Sequence, residues 1–560
     1  MCHWSISPRA GSDRYTHPGL LAQLSPVFLA LLLSKPCHAQ SLNQIPIASS
    51  QHVTKVLPEL PVGENNAELP LVVAPRLREI RFEGNQLFSQ SELRKAVEKY
   101  VNRVITADDL QRIREQITRY YVDHGYINSQ AIIPDQSLNT GVLTVRVLEG
   151  KLGDIRIFDF QNLRIRPEYI SHRLKRPSDQ ALDINRLGRR LRLLHQKPII
   201  ESLQTELAPG LKPAESILNV RVREARRYRY GASVNNARSP SVGEYRVEGW
   251  WRDQDLTRRA DQLSVTAGLT AGLKDVAIDY QLPVGANDAA LRLAASHSES
   301  AIIEEPFDQI DISSTTSSAS LAWDFPLIHY PDRSLINTFS LEKRRSKSLL
   351  DGEPFEFSPG ASNGVARVSV LRWSLEGARK SGNAILAFNS RFSFGLGGLG
   401  GGTENIGSAP DGNFFDWFGQ FQWVKRFGKF KSLLRLQAQR SRDNLLALEK
   451  YGLGGARSVR GYRENLFVRD EGWMASIETR YALMAGKLEP ALFFDSGGAR
   501  NLGASESSET LESAGLGLRW NPLASLQMQG YWAQPLKSVE LGANRGLQDR
   551  GFHFSLEYEF

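Results

Sequence analysis

The chain ends on Phe552–Phe560, FHFSLEYEF, in which Phe552, Phe554, Leu556, Tyr558 and Phe560 share one face of an extended strand and polar residues fill the other. Successive side chains of a strand point to opposite faces, so this is a strand with one apolar and one wet side. The same period of two runs back through the C-terminal half. Tyr228, Tyr230, Ala232 and Val234 alternate with Arg229, Gly231, Ser233 and Asn235. Tyr245, Val247 and Trp251 share a face, as do Leu263, Val265, Ala267 and Leu269. The pattern recurs at Ala514, Leu516, Leu518 and Trp520, and at Leu526, Met528 and Trp532. A soluble β-sandwich alternates too. An apolar face opposed by Gly, Ser, Gln and Arg, with Trp323, Tyr330, Trp417 and Trp423 near strand ends, fits instead a wall with lipid outside and water inside. Residues 227–560 number 560 − 226 = 334. At roughly 20 residues per strand and connection, with spans of about 9 to 11 residues, they make a membrane β-barrel of about 16 antiparallel strands.

The N-terminus supplies a route to that membrane. Met1–Pro18 carries Arg9 and Arg14, residues 20–33 are mainly apolar, and Cys37-His38-Ala39 precedes Gln40. This is the pattern of a secretory signal peptide over residues 1–39, cleaved between Ala39 and Gln40. The apolar run is short and broken by Gln23 and Pro26, which excludes a good spanning helix. Ser34-Lys35-Pro36 before Cys37 does not fit a lipobox, so Cys2 and Cys37 both leave with the leader, and the mature chain uses neither disulfides nor thiolate metal sites. No other apolar run approaches the roughly 20 residues of a membrane helix, so any crossing falls to strands. Residues 40–74, punctuated by Pro46, Pro58, Pro61 and Pro70, read as a flexible arm. The net charge of +8 is spread along the chain and leaves no nucleic-acid footprint. Its densest run, Arg221, Arg223, Arg226, Arg227 and Arg229, reads as a solvated domain junction.

Between arm and barrel the grammar is α+β, twice over. In residues 75–150, Leu77, Ile80 and Phe82 form a strand, and Ser89 with Glu92 makes a capping box before Leu93, Ala96, Val97 and Tyr100 at helical spacing. A second helix starts near Thr106 with Leu110, Ile113 and Ile117 on one face; strands follow over 127–133 and 142–148, joined at Asn139-Thr140-Gly141. In residues 151–226 the order repeats: a strand at 153–157, helices over 167–174 and 185–195, strands over 203–207 and 217–222. The last helix sets Leu187, Leu191 and Leu194 against a basic face of Arg189, Arg190 and Arg192, a pattern usual for a solvated surface and compatible with partner binding. Neither module holds a convergent set of catalytic side chains.

Phe82-Glu83-Gly84-Asn85, Tyr120-Tyr121, His124-Gly125-Tyr126, residues 131–136 (AIIPDQ) and Val147-Leu148-Glu149-Gly150 resemble the first POTRA module of two-partner secretion transporters of the TpsB type. Residues 151–226, with Leu207-Ala208-Pro209-Gly210, are similar to the second. His124 and Tyr126 match structural positions of that module. Gly454–Asn465, GGARSVRGYREN, alone a surface loop, carries Val459-Arg460-Gly461-Tyr462, and Phe493, Asp495 and Gly497 match the family's barrel-wall pattern F-x-D-x-G. The resemblance implies that this loop folds into the lumen and that Arg460 pairs with Asp495, with Gly461 permitting a tight tip and Gly497 leaving room at the wall. It further implies two periplasmic POTRA modules and an outer-membrane pore. The modules would capture the N-terminal secretion domain of a large, unfolded exoprotein of adhesin or haemolysin type, and the barrel would carry it to the cell surface. The terminal Phe560 resembles the signal read by the barrel assembly machinery; the other partner is outer-membrane lipid, with no nucleic acid and no cofactor. A barrel-assembly factor of the BamA type is the alternative, but such factors typically carry more modules. A passive porin would need none. Residues 40–74 show no clear plug helix of the kind some family members have.

Two motifs mimic enzymes. Gly360-Ala361-Ser362-Asn363-Gly364 fits G-x-S-x-G, but a nucleophile elbow at Ser362 needs strand, turn, then helix, and the flanks read as strand, turn, strand from Phe355–Phe357 into residues 365–370. Gly395, Gly397 and Gly400 fit G-x-G-x-x-G, yet Gly401-Gly402-Thr403-Glu404-Asn405 follows instead of a helix. The ten histidines do not pair with carboxylates at metal-ligand spacing. The sequence therefore reads as a transporter and not as an enzyme.

Overall fold

A computed structural model describes residues 2–6, 76–158, 163–175, 180–397, 410–503, 508–539 and 546–560. In the first module, Ser89 accepts the Glu92 N–H while the Glu92 carboxylate accepts the Ser89 N–H, and helix Gln90–Val97 starts there. Thr106 and Asp109 repeat the device for helix Ala107–Asp123. Each box satisfies N–H groups that a helix start leaves without intrahelical partners. The two helices bury Leu93, Val97, Ile113, Ile117 and Tyr121 against a three-stranded sheet, with Glu79–Glu83 parallel to Val142–Leu148 and Gln130–Ile132 antiparallel to it. The strand expected over 127–133 contracts to Gln130–Ile132, because Gly125 and Ser129 donate to the Val122 and Tyr126 carbonyls in turns just before it. The second module follows its expected order closely, with helices Pro167–Leu174 and Ile184–His195 on strands Lys151–Phe158, Ile200–Pro209 and Glu215–Glu224. Cys2–Ile6 lies antiparallel on the open edge of Ile200–Pro209. The rest of the leader, the Ala39-Gln40 cleavage pair and arm 40–74 lie outside the described residues.

The remainder closes into an antiparallel barrel of 16 strands. Tyr228–Asn235 meets Phe552–Glu559 at the seam, where Gly231 faces Glu559 and Asn235 faces Ser555. Phe560 donates its N–H to the Tyr230 carbonyl at 3.0 Å and stacks on the Tyr230 ring, so the final aromatic fastens the seam from outside. Alternation sorts side chains as the sequence suggests. Leu516, Leu518 and Trp520 are exposed on the outside while Arg519 is buried. Strand length departs from the 9 to 11 residues expected: Ile312–Tyr330 has 19 residues and Arg333–Leu350 has 18. At about 3.3 Å per residue both overshoot a hydrocarbon core about 30 Å thick. They stay paired along their lengths, and the overshoot is polar, with residues 313–318 (SSTTSS) opposite residues 344–349 (RRSKSL). The strand expected at Phe355–Phe357 is limited to Glu353–Pro354, the only residues there that pair with Leu349 and Leu350.

Of the junction arginines, Arg221, Arg223 and Arg226 are exposed as their composition suggests, whereas Arg227 and Arg229 are tied to the barrel. Arg227 makes a two-pronged contact with Asp253 at 2.9 and 2.7 Å, and Arg229 pairs with Glu559 across the seam. The basic helix Ile184–His195 leans on the barrel too: the Arg189 guanidinium lies 4.4 Å from the Tyr330 ring centroid, and Gln196 donates to the Pro331 carbonyl at 3.3 Å. Asp288, in a barrel turn, receives Arg173 at 3.1 Å and Lys197 at 2.9 Å from the second module and His329 at 2.8 Å from the end of strand Ile312–Tyr330. Burial alone would raise the Asp288 carboxyl, but the His329 hydrogen bond and the charges of Lys197 and Arg173 hold it well below the usual carboxylate range. A depressed acid contributes its stability above its unfolded value, near 3.8 here, and loses it as pH falls below that. The Asp288 contribution to docking is therefore expected to be constant from about pH 5 to 8. Asp288→Asn is expected to strand two cations at a cost of about 3 kcal/mol. Spin-label distances between module and barrel would then broaden, while unchanged distances would show that Asp288 does not hold the joint.

Candidate functional site

Period two alone places the wall motif. On strand Leu488–Arg500, Phe493, Asp495 and Gly497 are buried on the lumenal side, while Leu492 and Phe494 face out. On the neighbouring strand Glu471–Tyr481, Ser476 lies opposite Asp495 and Glu478 opposite Phe493, both facing inward. Residues 442–470, which connect strands Phe430–Ser441 and Glu471–Tyr481, turn back into this space. A short hairpin of Tyr451–Leu453 with Phe467–Arg469 carries the tip.

The tip is Val459-Arg460-Gly461-Tyr462, and each residue has a distinct contact. Arg460 is 2% exposed. Its Nε donates to Asp495 Oδ2 at 2.7 Å, its Nη2 to Asp495 Oδ1 at 2.8 Å, and its Nη1 to Glu478 Oε2 at 2.5 Å. The Arg460 main-chain N–H also reaches Asp495 Oδ2, at 3.1 Å. The guanidinium carbon lies 3.5 Å from the Phe493 ring centroid, so one plane serves both the carboxylate fork and the aromatic face. Burial would lower the Arg460 value, but Asp495 and Glu478 raise it, and the side chain stays charged. Gly461 has φ +91°, and a Cβ there would come within 2.9 Å of the Ala533 Cβ. Its N–H donates to His553 Nε2 at 2.9 Å. The Tyr462 hydroxyl sits between the Glu512 and Lys537 carbonyls at 2.8 and 3.0 Å. Val459 joins a small apolar core inside the barrel with Phe418, Leu453, Met474 and Leu511. A Cβ on Gly497 would approach Leu453 Cδ1 to 2.7 Å and the Trp473 carbonyl to 2.8 Å, so a side chain at 497 would collide with the loop.

The same loop is held at two further points. Glu449 takes both its oxygens to Arg372 Nη2, at 3.0 and 2.9 Å, on the wall strand Val365–Ser381. Arg372 in turn donates to Glu342 and Ser393. Beyond the tip, Arg463 pairs with Asp549 and, at 2.6 Å, with Glu304. Arg460 and Asp495, the pair that the family resemblance implies, lie together here, and Glu478, Ser476, His553, Arg372 and Glu449 join the site without having been named from the sequence. A signal existed for the first: Glu478 alternates with the outward Trp473 and Ile477, which places a charge on the lumenal face.

The enzyme-like motifs fall elsewhere. Ser362 and Val365 exchange main-chain hydrogen bonds at 3.0 and 2.9 Å, and the chain enters a strand at Val365, so Ser362 has no following helix to form an elbow. Gly395 ends a strand, while Gly400 and the glycines after it lie outside the described residues. Among the described residues no group of His, Cys, Asp and Glu is placed to hold a metal ion.

The family described as haemolysin secretion/activation protein ShlB/FhaC/HecB matches residues 214–520, which is 520 − 213 = 307 of 560 residues, and the ShlB-type POTRA domain matches residues 76–150. The outer membrane transporter CdiB of Dickeya dadantii is 24% identical over 400 residues, 69% of either chain. The hemolysin transporter protein ShlB of Serratia marcescens is 24% identical over 78% of this chain and 77% of its own. In fold, CdiB from Escherichia coli superimposes with a TM-score of 0.67 at 19% identity, covering 90% of this chain and 93% of its own. BamA from Haemophilus ducreyi lacking POTRA domains 1–3 follows at 0.53 and 12% identity, covering 87% of this chain and 100% of its own. More than half the chain thus fits one family model, and the protein belongs to the ShlB/FhaC/HecB family of haemolysin secretion/activation proteins.

Proposed function

We propose that the protein is an outer-membrane two-partner secretion transporter. Its two POTRA modules, residues 75–150 and 151–226, stand in the periplasm and capture the N-terminal secretion domain of a large exoprotein. The barrel, residues 227–560, passes that chain unfolded to the cell surface. The observation that carries this reading is the fork of Arg460 on Asp495 inside a barrel joined to two such modules. A porin needs neither. The fold shared with BamA reflects a common barrel plan, and the match to a secretion family over residues 214–520 favours export of a partner over barrel assembly. The leader 1–39 is removed between Ala39 and Gln40, and Phe560 is read by the barrel assembly machinery before the seam closes. The chain performs no catalysis of its own.

Capture by strand addition suits an unfolded partner, because main-chain hydrogen bonds tolerate many sequences. Two features support it. Ile200–Pro209 accepts an antiparallel strand on its edge. In the first module, a groove of about 460 Å³ lies beside the short edge strand Gln130–Ile132, with Leu110, Ile133 and Leu138 beside Arg114 and Asp135. A strand added there would place alternate side chains in the groove. Ile133→Gln is expected to weaken binding of the secretion domain by about tenfold, corresponding to about 1.4 kcal/mol, without altering barrel insertion. Unchanged affinity in a pull-down titration would move capture away from this groove.

The Arg460 pair acts as an anchor, holding the loop in the position that transport requires. Removing Arg460 leaves Asp495 buried without its guanidinium, while Glu478 keeps Arg480, at a cost of about 3 to 5 kcal/mol. That exceeds the roughly 1.4 kcal/mol of a tenfold change, so few molecules keep the loop docked. Arg460→Ala is expected to insert and remain heat-modifiable on gels, while secretion of the partner falls at least about tenfold. Normal export by that variant would remove the role assigned to the pair.

A further inference from the structure

Against the Arg460 tip the lumen retains a cavity of about 160 Å³. Five guanidinium groups line it, those of Arg435, Arg457, Arg460, Arg480 and Arg519, against two carboxylates, Glu478 and Glu557. The carboxylate nearest the tip is already spent: Glu478 Oε2 accepts Arg460 and Oε1 accepts Arg480, both at 2.5 Å. Arg435, 4% exposed, donates only from Nη2, to Ser476 Oγ at 3.1 Å, and its Nε has no partner. Arg519, 6% exposed, reaches the neutral Gln527 Oε1 at 3.2 Å. Neither makes an ion pair among the described residues. His553 lines the same space. Because its Nε2 accepts the Gly461 N–H, a neutral ring carries its proton on Nδ1, which is buried and has no partner. Buried donors and cations in this state are costly unless an acceptor of opposite charge meets them.

We propose that this cavity is an oxyanion site, in which Arg435 and Arg519 bind a carboxylate or a phosphate. A planar fork of N–H donors suits both, and the space exceeds the roughly 30 Å³ share of one water several-fold. The site lies beside Arg460. An acidic side chain entering it would face the guanidinium that Glu478 now holds, so the moving chain would present its carboxylates where the loop is anchored. Binding of a free oxyanion does not depend on the secretion reading; use of the site by a passing acidic side chain does.

The full-length protein in detergent, titrated with inorganic phosphate at constant ionic strength in a calorimeter, separates these. The expected result is saturable binding, weakened about tenfold or more by Arg435→Gln and by Arg519→Gln, with heat-modifiability of each variant checking the barrel. Absence of saturable binding, or binding equal in wild type and both variants, overturns the site. A hexaglutamate peptide that displaces phosphate assigns the site to carboxylates of a polypeptide; phosphate that binds and is not displaced assigns it to a free oxyanion. No passenger is present in this assay, so its failure leaves the Arg460→Ala secretion result to judge the transport reading separately.

Discussion

A guanidinium buried inside a barrel lumen is the constraint on which the rest of this structure turns. Arg460 at 2% exposure would be prohibitive without its partners, and Asp495 at 0% equally so. Their pairing is tolerable because the fork is complete, Glu478 takes the remaining edge, and Phe493 covers the face. The contacts around it follow from where that fork must sit. Gly461 turns where a side chain would strike Ala533, Tyr462 reaches the carbonyls of Glu512 and Lys537, and Val459 joins the apolar cluster. The loop is therefore positioned by charge and kept in register by small and apolar neighbours.

The closed barrel makes this possible. Pairing every strand leaves no open edge and forces alternate residues inward, so a wall can present Phe493, Asp495 and Gly497 to the lumen while offering Leu492 and Phe494 to lipid. Charges collected inside need counter-charges, and the loop supplies them at three points, through Glu449, Arg460 and Arg463. The same logic recurs at the module joint, where Asp288 gathers Arg173, Lys197 and His329. Lumenal anchoring and module docking thus both rest on a buried carboxylate held by donors from another element.

Much of this was legible in the sequence where the cause is local. Ser89 with Glu92 starts its helix as read, and the second helix begins beside Thr106 as expected, because capping is decided within four residues. The alternation of Tyr228–Asn235 and Phe552–Glu559 gave the wall faces, although not that these two strands would meet. Arg460 and Asp495 were paired through a family pattern, since 35 residues of separation carry no local signal. His553, Arg372 and Glu449 carry no local signal for the same reason: their partners lie on elements distant in the chain. Strand length exceeds the expected span because polar pairs beyond the bilayer continue the ladder as well as apolar ones do. Arg189 looked solvated because nothing in its own helix indicates the Tyr330 ring that covers it.

The central claim is that Arg460 and Asp495 are energetically coupled and hold the lumenal loop in place. A double-mutant cycle tests it most directly: Arg460→Ala, Asp495→Ala and the double variant, each folded into lipid vesicles and unfolded with urea. The account predicts a coupling of about 2 kcal/mol or more, with the double variant less destabilised than the sum of the singles. Additive effects of the two substitutions would contradict it.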